Sequence, residues 1–211
     1  MSKYITNILK SLFTFATAKT RTNHTTKTFT IFMKNLIALA ALAFGIVSVS
    51  AQQSIVNVKL YPIQTIVVNP GNKTVDLEYH SEADYNAGVD KDVQDHLTVY
   101  STGAFAVSVK SDQATLTNAD ASITESINAS DIYVTASTGS TNGLATATYN
   151  SAVSLTETAQ ELFSSSTGGV NKNFNVNYAA KGDLNAYVNK YFNAQNPTVY
   201  TTTVTYSIEA K

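Results

Sequence analysis

The stretch that decides the fold class lies near the end of the chain and reads Val199-Tyr200-Thr201-Thr202-Thr203-Val204-Thr205-Tyr206-Ser207-Ile208. On an extended chain, alternate side chains share a face. One face therefore carries Tyr200, Thr202, Val204, Tyr206 and Ile208, and the other carries Val199, Thr201, Thr203, Thr205 and Ser207. The first face is largely apolar and the second largely polar, which is the pattern of a half-buried β-strand. We therefore expect a terminal strand with Tyr200, Val204, Tyr206 and Ile208 turned towards a core.

Similar alternation appears earlier in the chain. Further strand patterns, long and short, lie at 63–68, 75–79, 97–109, 132–135, 152–155 and 174–178. Threonine fills 20 of the 160 residues after Ala51, and branched side chains of this kind suit a pleated sheet. About seven strands separated by turn residues predict an all-β fold. We expect one antiparallel, immunoglobulin-like sandwich formed by residues 62–211.

The connections between strands also suggest local structure. Ser-Thr-Gly occurs at 101, 137 and 166, between strand patterns each time. We interpret it as a turn signal because glycine readily adopts the positive φ angles that turns require. Leu97 to Val109, which passes through the first of these turns, predicts a β-hairpin. A helical pattern is limited to 156–163 and 184–192.

The front of the chain carries a targeting signal. Met33-Lys34-Asn35 precedes an uncharged run from Leu36 to Val49, and Ser48-Val49-Ser50-Ala51 ends it with small residues. This order is typical of a secretory signal peptide, here 33–51, with cleavage after Ala51. The apolar run is too short to span a membrane. Residues 1–32, which hold five cationic and no acidic side chains, are interpreted as an extension from a mis-assigned start at Met1.

Composition excludes several classes of function. The chain has no cysteine, so disulfides, thiolate zinc sites and lipid attachment at an N-terminal cysteine are excluded. All 15 acidic residues lie after Ala51, together with eight lysines and no arginine, so the exported chain carries a net charge of −7. Nucleic-acid binding is disfavoured because phosphate recognition relies on basic stripes and arginine forks. No membrane span is expected after signal cleavage.

Residues 52–61 stand apart as an N-terminal arm. Ile55, Val56, Val58 and Leu60 form an extended apolar run just after the cleavage site, and Tyr61-Pro62 interrupts it. Proline cannot donate a ladder hydrogen bond, so Pro62 marks a bend or a sheet edge. We expect the arm to pair within its own sandwich or to complete a neighbouring copy.

Candidates for metal binding and catalysis are few. Asp90, Asp92 and Asp95 are possible oxygen ligands for calcium, but their spacing lacks the glycine and the final glutamate of an EF-hand loop. We therefore expect a solvated loop and no metal, with His80 and His96 on the surface. No nucleophile motif, phosphate loop or dinucleotide fingerprint is present. We expect no enzyme and no cofactor.

Three segments carry a resemblance to a known family. They are the arm 54–60, the segment Val153 to Phe163 and the tyrosine-led ending 199–208. Together they resemble exported pilin-like sandwiches, namely the alpha-fimbriae major subunits and the spore-coat-protein-U-like subunits of chaperone–usher systems. The resemblance implies an incomplete sandwich that a periplasmic chaperone fills until the arm of the next subunit replaces it. It assigns the assembly role to Val56, Val58 and Leu60. The charged segment Glu82–Asp95 has no place in that pattern.

The functional expectation follows from the arm and the export signal. We expect a structural or adhesive surface protein, found in the periplasm, at the cell surface or outside the cell, that self-associates or uses an assembly partner. The alternative is a monomeric exported module that binds polysaccharide or cell-wall glycan through exposed aromatic side chains. A secreted hydrolase is a distant third.

Overall fold

The computed structural model describes residues 52–183 and 185–211, so the predicted signal peptide 33–51 and the extension 1–32 lie outside the described residues. The chain divides into two units, Met1–Val58 and Lys59–Lys211. In the first unit, residues 52–58 are exposed and have no regular secondary structure. The second unit contains all the described strands.

Two antiparallel sheets form that second unit, which confirms the predicted single all-β sandwich. The larger sheet has, in spatial order, β1 (Gln64–Val68), β2 (Val89–Ser101), β10 (Gly169–Ala180), β6 (Ile132–Thr138) and β8 (Val153–Ser154). The other sheet has β11 (Val204–Ala210), β3 (Phe105–Ser111), β9 (Gln160–Ser165) and β7 (Ala147–Tyr149). A small third sheet pairs β4 (Thr115–Thr117) with β5 (Ser126–Asn128).

The core between the sheets is built from the inward residues of the long strands. Phe163 and Phe174, one from each large sheet, stack with ring centroids 4.2 Å apart, and Phe105 meets Phe163 edge-on at 6.4 Å. All three rings are fully buried. Each such burial stabilises the fold by about 1.5–3 kcal/mol. These contacts join the two sheets into one sandwich.

The predicted hairpin at 97–109 is wrong. β2 pairs with β1 and β10, whereas β3 pairs with β11 and β9, so the chain changes sheets at Ser101–Gly103. Alternation along a strand shows which side chains face the core but not which strand lies alongside. A second Ser-Thr-Gly turn packs onto this crossing: a side chain at Gly168 would place its Cβ 2.3 Å from the Ser101 carbonyl oxygen.

The predicted helices are also wrong where the structure describes them. Within 156–163, Gln160 onwards belongs to β9, and the described part of 184–192 forms turns. A short apolar run such as Leu162-Phe163 fits a buried strand as well as a helix, so periodicity alone cannot separate them. The described α-helix is instead α1 (Glu82–Ala87), closed by a capping box between Ser81 and Asp84.

The segment 73–80 keeps the predicted alternation without becoming a strand. Val75, Leu77 and Tyr79 are half-buried against the core, while Asp76 and Glu78 are exposed. No β-ladder pairs this segment with any described residue. A gap of about 530 Å³, lined by Val75 and Val93 among others, lies between it and the first half of β2.

Candidate assembly edge

β11 is an edge strand with one free side. It pairs with β3 from Val204 opposite Ser111 to Ala210 opposite Phe105, and it has no second neighbour among the described strands. Val204, Tyr206 and Ile208 are half-buried and pack against the core, whereas Thr205 is exposed. The structure thus has a terminal strand over Val204–Ala210, with Val204, Tyr206 and Ile208 on its inward face.

The strand begins later than expected. Thr201 makes an isolated bridge to Thr117, and continuous pairing starts only at Val204. Tyr200 precedes the strand and donates a hydrogen bond from its hydroxyl to the Lys190 carbonyl at 2.7 Å. Tyr200 therefore anchors the loop before β11 instead of extending the strand.

The hydrogen-bond register shows what the free side of β11 offers. Asp112 N donates to Thr203 O, and Lys211 N donates to Ala104 O, both outside the continuous ladder. In an antiparallel ladder every second residue bonds to its partner strand. Residues 203, 205, 207, 209 and 211 therefore face β3, while the N–H and C=O groups of Val204, Tyr206, Ile208 and Ala210 point to the open side. Four donors and four acceptors are available there to another strand.

The arm carries the matching exposed apolar surface. Ile55, Val56, Val58 and Leu60 are each at least 80% exposed, and residues 52–63 belong to no strand. Exposed apolar residues are common when scattered singly, whereas here four lie within six consecutive residues. Val56, Val58 and Leu60, the residues assigned to assembly from sequence, share one side of an extended chain.

One end of the segment 73–80 is held by an aromatic cluster. The Tyr79 hydroxyl donates to the Lys181 carbonyl at 2.8 Å, and its ring contacts Tyr85 and Tyr187 at centroid distances of 5.0 and 5.2 Å. Burial raises the pKa of Tyr79 to about 12 and raises that of Tyr187 as well. Both phenols are therefore neutral, which suits a packing role.

His96 is buried, and the prediction that it lies on the surface is wrong. Its side chain points between the sheets, the residue is 2% exposed, and Nε2 lies 3.0 Å from the Tyr178 hydroxyl. The Tyr178 hydroxyl in turn hydrogen-bonds the Tyr206 hydroxyl of β11. Burial lowers the pKa of His96 and raises the pKa of Tyr178 to about 12. The polar residues next to His96 in sequence suggested a surface position. On β2, however, those polar side chains point to the opposite face of the sheet.

The acidic candidates lie on a strand instead of a loop. Asp90 and Asp92 are on the outer face of β2, where both carboxylates accept from Asn177 Nδ2 at 2.9 and 2.7 Å. The Asp95 carboxylate accepts hydrogen bonds from Thr141 Oγ1 at 2.7 Å and from the Thr141 backbone N–H at 3.2 Å. These hydrogen bonds lower the pKa of Asp95. His80 is exposed and contacts Glu78 at 3.3 Å. Within 52–183 and 185–211, no three His, Asp or Glu side chains are grouped as a metal site.

An uncharged cleft of about 590 Å³ lies beside β4. Its lining combines amides and hydroxyls with apolar side chains: Thr117, Asn118, Ala119, Gln195, Asn196, Pro197, Val199 and Thr201. The Asn118 and Gln195 amides bond each other at 2.7 and 3.2 Å, and Asn118 also donates to the Val199 carbonyl. These bonds fix the walls of the cleft.

A scan against protein-family models and a search of curated proteins each found no match to this chain. Across the residues that the structure describes, no helix is both long enough and apolar enough to cross a membrane.

Proposed function

We propose that the protein is an exported structural subunit that assembles by β-strand addition, with the arm 52–61 of one copy pairing along β11 of another. One observation carries the proposal: a single chain combines an open-sided terminal strand with an exposed, alternating apolar arm. The arm residues 54–60 match the seven residues of β11 in length. Strand addition of this kind combines main-chain hydrogen bonds with the burial of alternate side chains.

Charge supports the same pairing. Lys59 is the one charged residue in the arm, whereas residues 62–211 carry seven lysines and 15 acidic residues, a net charge of −8. A weakly cationic arm is attracted to an acidic sandwich, which speeds encounter more than it strengthens binding. An exported location, with a periplasmic chaperone protecting the open strand before assembly, belongs to the same proposal.

The test uses two single substitutions in the arm. Val58→Asp places a charge on the face assigned to docking, and Asn57→Asp places the same charge on the opposite face. We expect Val58→Asp, like deletion of 52–61, to abolish high-order species on native gels and fibres in electron micrographs of sheared surface material. Asn57→Asp should retain both. Assembly that survives deletion of 52–61 would overturn the proposal.

The second candidate function is a glycan-binding module, favoured by the uncharged cleft beside β4. The Asn196 amide and the hydroxyls of Thr117 and Thr201 line it without an intramolecular side-chain partner among the described residues. Neutral amides and hydroxyls over an apolar floor suit a sugar ring. Binding on a glycan array that Asn196→Ala removes, from a protein that stays monomeric, would favour this candidate.

A further inference from the structure

β1 is an edge strand without the usual protection against pairing. Among the described strands, the two large sheets end at β7 and β8 on one side of the sandwich and at β1 and β11 on the other. Proteins commonly guard such edges by keeping them short or charged, or by adding a proline or a bulge. β8 has two residues, β7 has three, and β11 carries Glu209. β1 has five uncharged residues, no proline and no register shift against β2, so it is open to pairing.

The hydrogen bonds at the two ends of β1 show which of its backbone groups are free. Thr102 N donates to Ile63 O, and Asn69 N donates to His96 O. Because every second residue of an antiparallel strand bonds to its neighbour, residues 63, 65, 67 and 69 face β2. Three residues therefore turn their N–H and C=O groups to the open side, where they bond to no other backbone group of the described residues: Gln64, Ile66 and Val68.

The outer face of β1 is exposed as well. Val67 is 52% exposed and Thr65 is also exposed. Their partners on the outer face of β2, Thr98 and Tyr100, are partly buried. The difference is expected because β2 has a neighbour on both sides at this point, whereas β1 has a neighbour on one side. The edge of β1 is therefore accessible to another strand.

β1 is symmetric about Ile66 in the features that control pairing. Pro62 and Pro70 each lie four residues from Ile66, and the nearest charged residues, Lys59 and Lys73, each lie seven residues away. Proline cannot donate to a ladder, so pairing is confined to the uncharged residues between the two prolines. A strand that pairs with its own copy brings like side chains together, which is unfavourable when they are charged. An uncharged and symmetric edge is therefore suited to pairing with itself.

We propose that β1 pairs with β1 of a second copy, antiparallel and about a two-fold axis at Ile66. Gln64 then lies opposite Val68 of the second copy, and Ile66 lies opposite its own equivalent, so every open N–H and C=O group of the two strands is paired. On the outer face, Thr65 lies opposite Val67 of the second copy, and β-branched pairs of this kind stabilise sheets. The contact is isologous and joins the two larger sheets into one.

This interface goes beyond the proposed function because it does not involve the arm. The arm carries Lys59 and β11 carries Glu209, so charge matches the arm to β11, whereas β1 offers no charge. Ile63 and its equivalent in the second copy lie at opposite ends of the shared pair, about 20 Å apart. The two arms therefore start at opposite ends of the contact, and each dimer presents two arms and two β11 strands. Pairing through β1 would join filaments side by side.

The test places charges on the outer face of β1. In Val67→Lys, two lysines meet diagonally across the two-fold axis, so the dissociation constant of the dimer should rise about tenfold. Val170→Lys is the matched control, because Val170 is also exposed but lies on β10, which has a strand on each side. It should change the constant less than about twofold. In the double variant Thr65→Glu/Val67→Lys, each glutamate lies opposite a lysine of the second copy, so the constant should return to within about threefold of its original value.

The measurement is sedimentation velocity over a range of concentrations, on the exported chain 52–211 carrying Val58→Asp, with melting temperatures to show that each variant is folded. We expect a dimer that Val67→Lys weakens, that the double variant restores and that persists when residues 52–61 are deleted.

A monomer at every concentration would overturn this inference, and so would a dimer that Val67→Lys leaves unchanged. A dimer that is lost with residues 52–61 would also overturn it, because the arm would then be what covers β1. High-order species that survive the deletion would instead overturn the proposed function, and the effect of Val67→Lys on the dimer decides the β1 contact in either case.

Discussion

The burial of His96 makes stability depend on pH. Because burial lowers the pKa of His96 below its ordinary value of 6.5, the unfolded chain binds more protons than the folded chain just below pH 6.5. Stability from this residue is therefore present above that pH and is lost as the pH falls through 6.5 towards the folded value. The groups that face the ring, Tyr178 and Tyr206, stay neutral throughout.

We expect His96→Gln to flatten the decline in unfolding free energy between about pH 7.5 and about pH 5.5, measured by chemical denaturation. His80→Gln is the matched control, because the His80 side chain is exposed and contacts Glu78, while the backbone N–H that donates to the Asp84 carboxylate is kept in the variant. It should keep the wild-type slope. An unchanged slope in His96→Gln would show that another group sets the acid response.

Two glycines in turns that pack against each other provide a second test at the scale of single residues. A Cβ at Gly168 would lie 2.3 Å from the Ser101 carbonyl oxygen, whereas one at Gly103 would meet nothing within 4 Å. Gly168→Ala should therefore lower the unfolding free energy by about 2 kcal/mol, and Gly103→Ala should change it by less than about 0.5 kcal/mol. Equal effects of the two changes in denaturant titrations would contradict the close packing of these turns.

At the scale of elements, the sequence predicted which face of a strand is buried better than it predicted which strands pair. The alternation in 199–208 identified Val204, Tyr206 and Ile208 as core-facing because a strand buries every second side chain. It gave no information about the neighbour of a strand, so β2 and β3 were wrongly joined as a hairpin. Nor could the alternation show that β11 keeps one side free, because strand order is set by contacts between segments that are distant in sequence.

The hydrogen-bond register of β11 predicts different effects for proline at two adjacent positions. Ala210 turns its N–H to the open side, whereas Glu209, opposite Ala106, turns its N–H to β3. Proline removes the N–H at either position. Ala210→Pro should therefore leave the melting temperature nearly unchanged. It should weaken the binding of a synthetic peptide with the sequence of residues 52–61 to the protein about fivefold. Glu209→Pro should lower the melting temperature because it breaks the existing ladder. Loss of stability in both variants would show that the assigned register is wrong.

At the scale of the whole molecule, the proposed export sets where the arm begins. The expected cleavage after Ala51 would leave an arm that begins at Gln52, directly before the apolar run, and would remove six of the 14 basic residues. We expect the intact mass of the protein recovered from cells to match a chain starting at Gln52, and the precursor to start at Met33. A precursor that starts at Met1 would contradict the proposed start, and a recovered chain that keeps residues 33–51 would contradict cleavage.

The one-sided pairing of β11 has a consequence for growth. In the proposed assembly each copy contributes one donor and one acceptor, and the two surfaces differ, so the contact is heterologous and does not close on itself by symmetry. A filament of such copies is polar, with an unpaired arm at one end and an unpaired β11 at the other. Nothing in the repeat limits the length of the filament. A subunit that keeps β11 but lacks its arm could bind the arm of one neighbour but could not dock onto another. Small amounts of this subunit should therefore shorten the filaments, in proportion to its fraction of the total subunits.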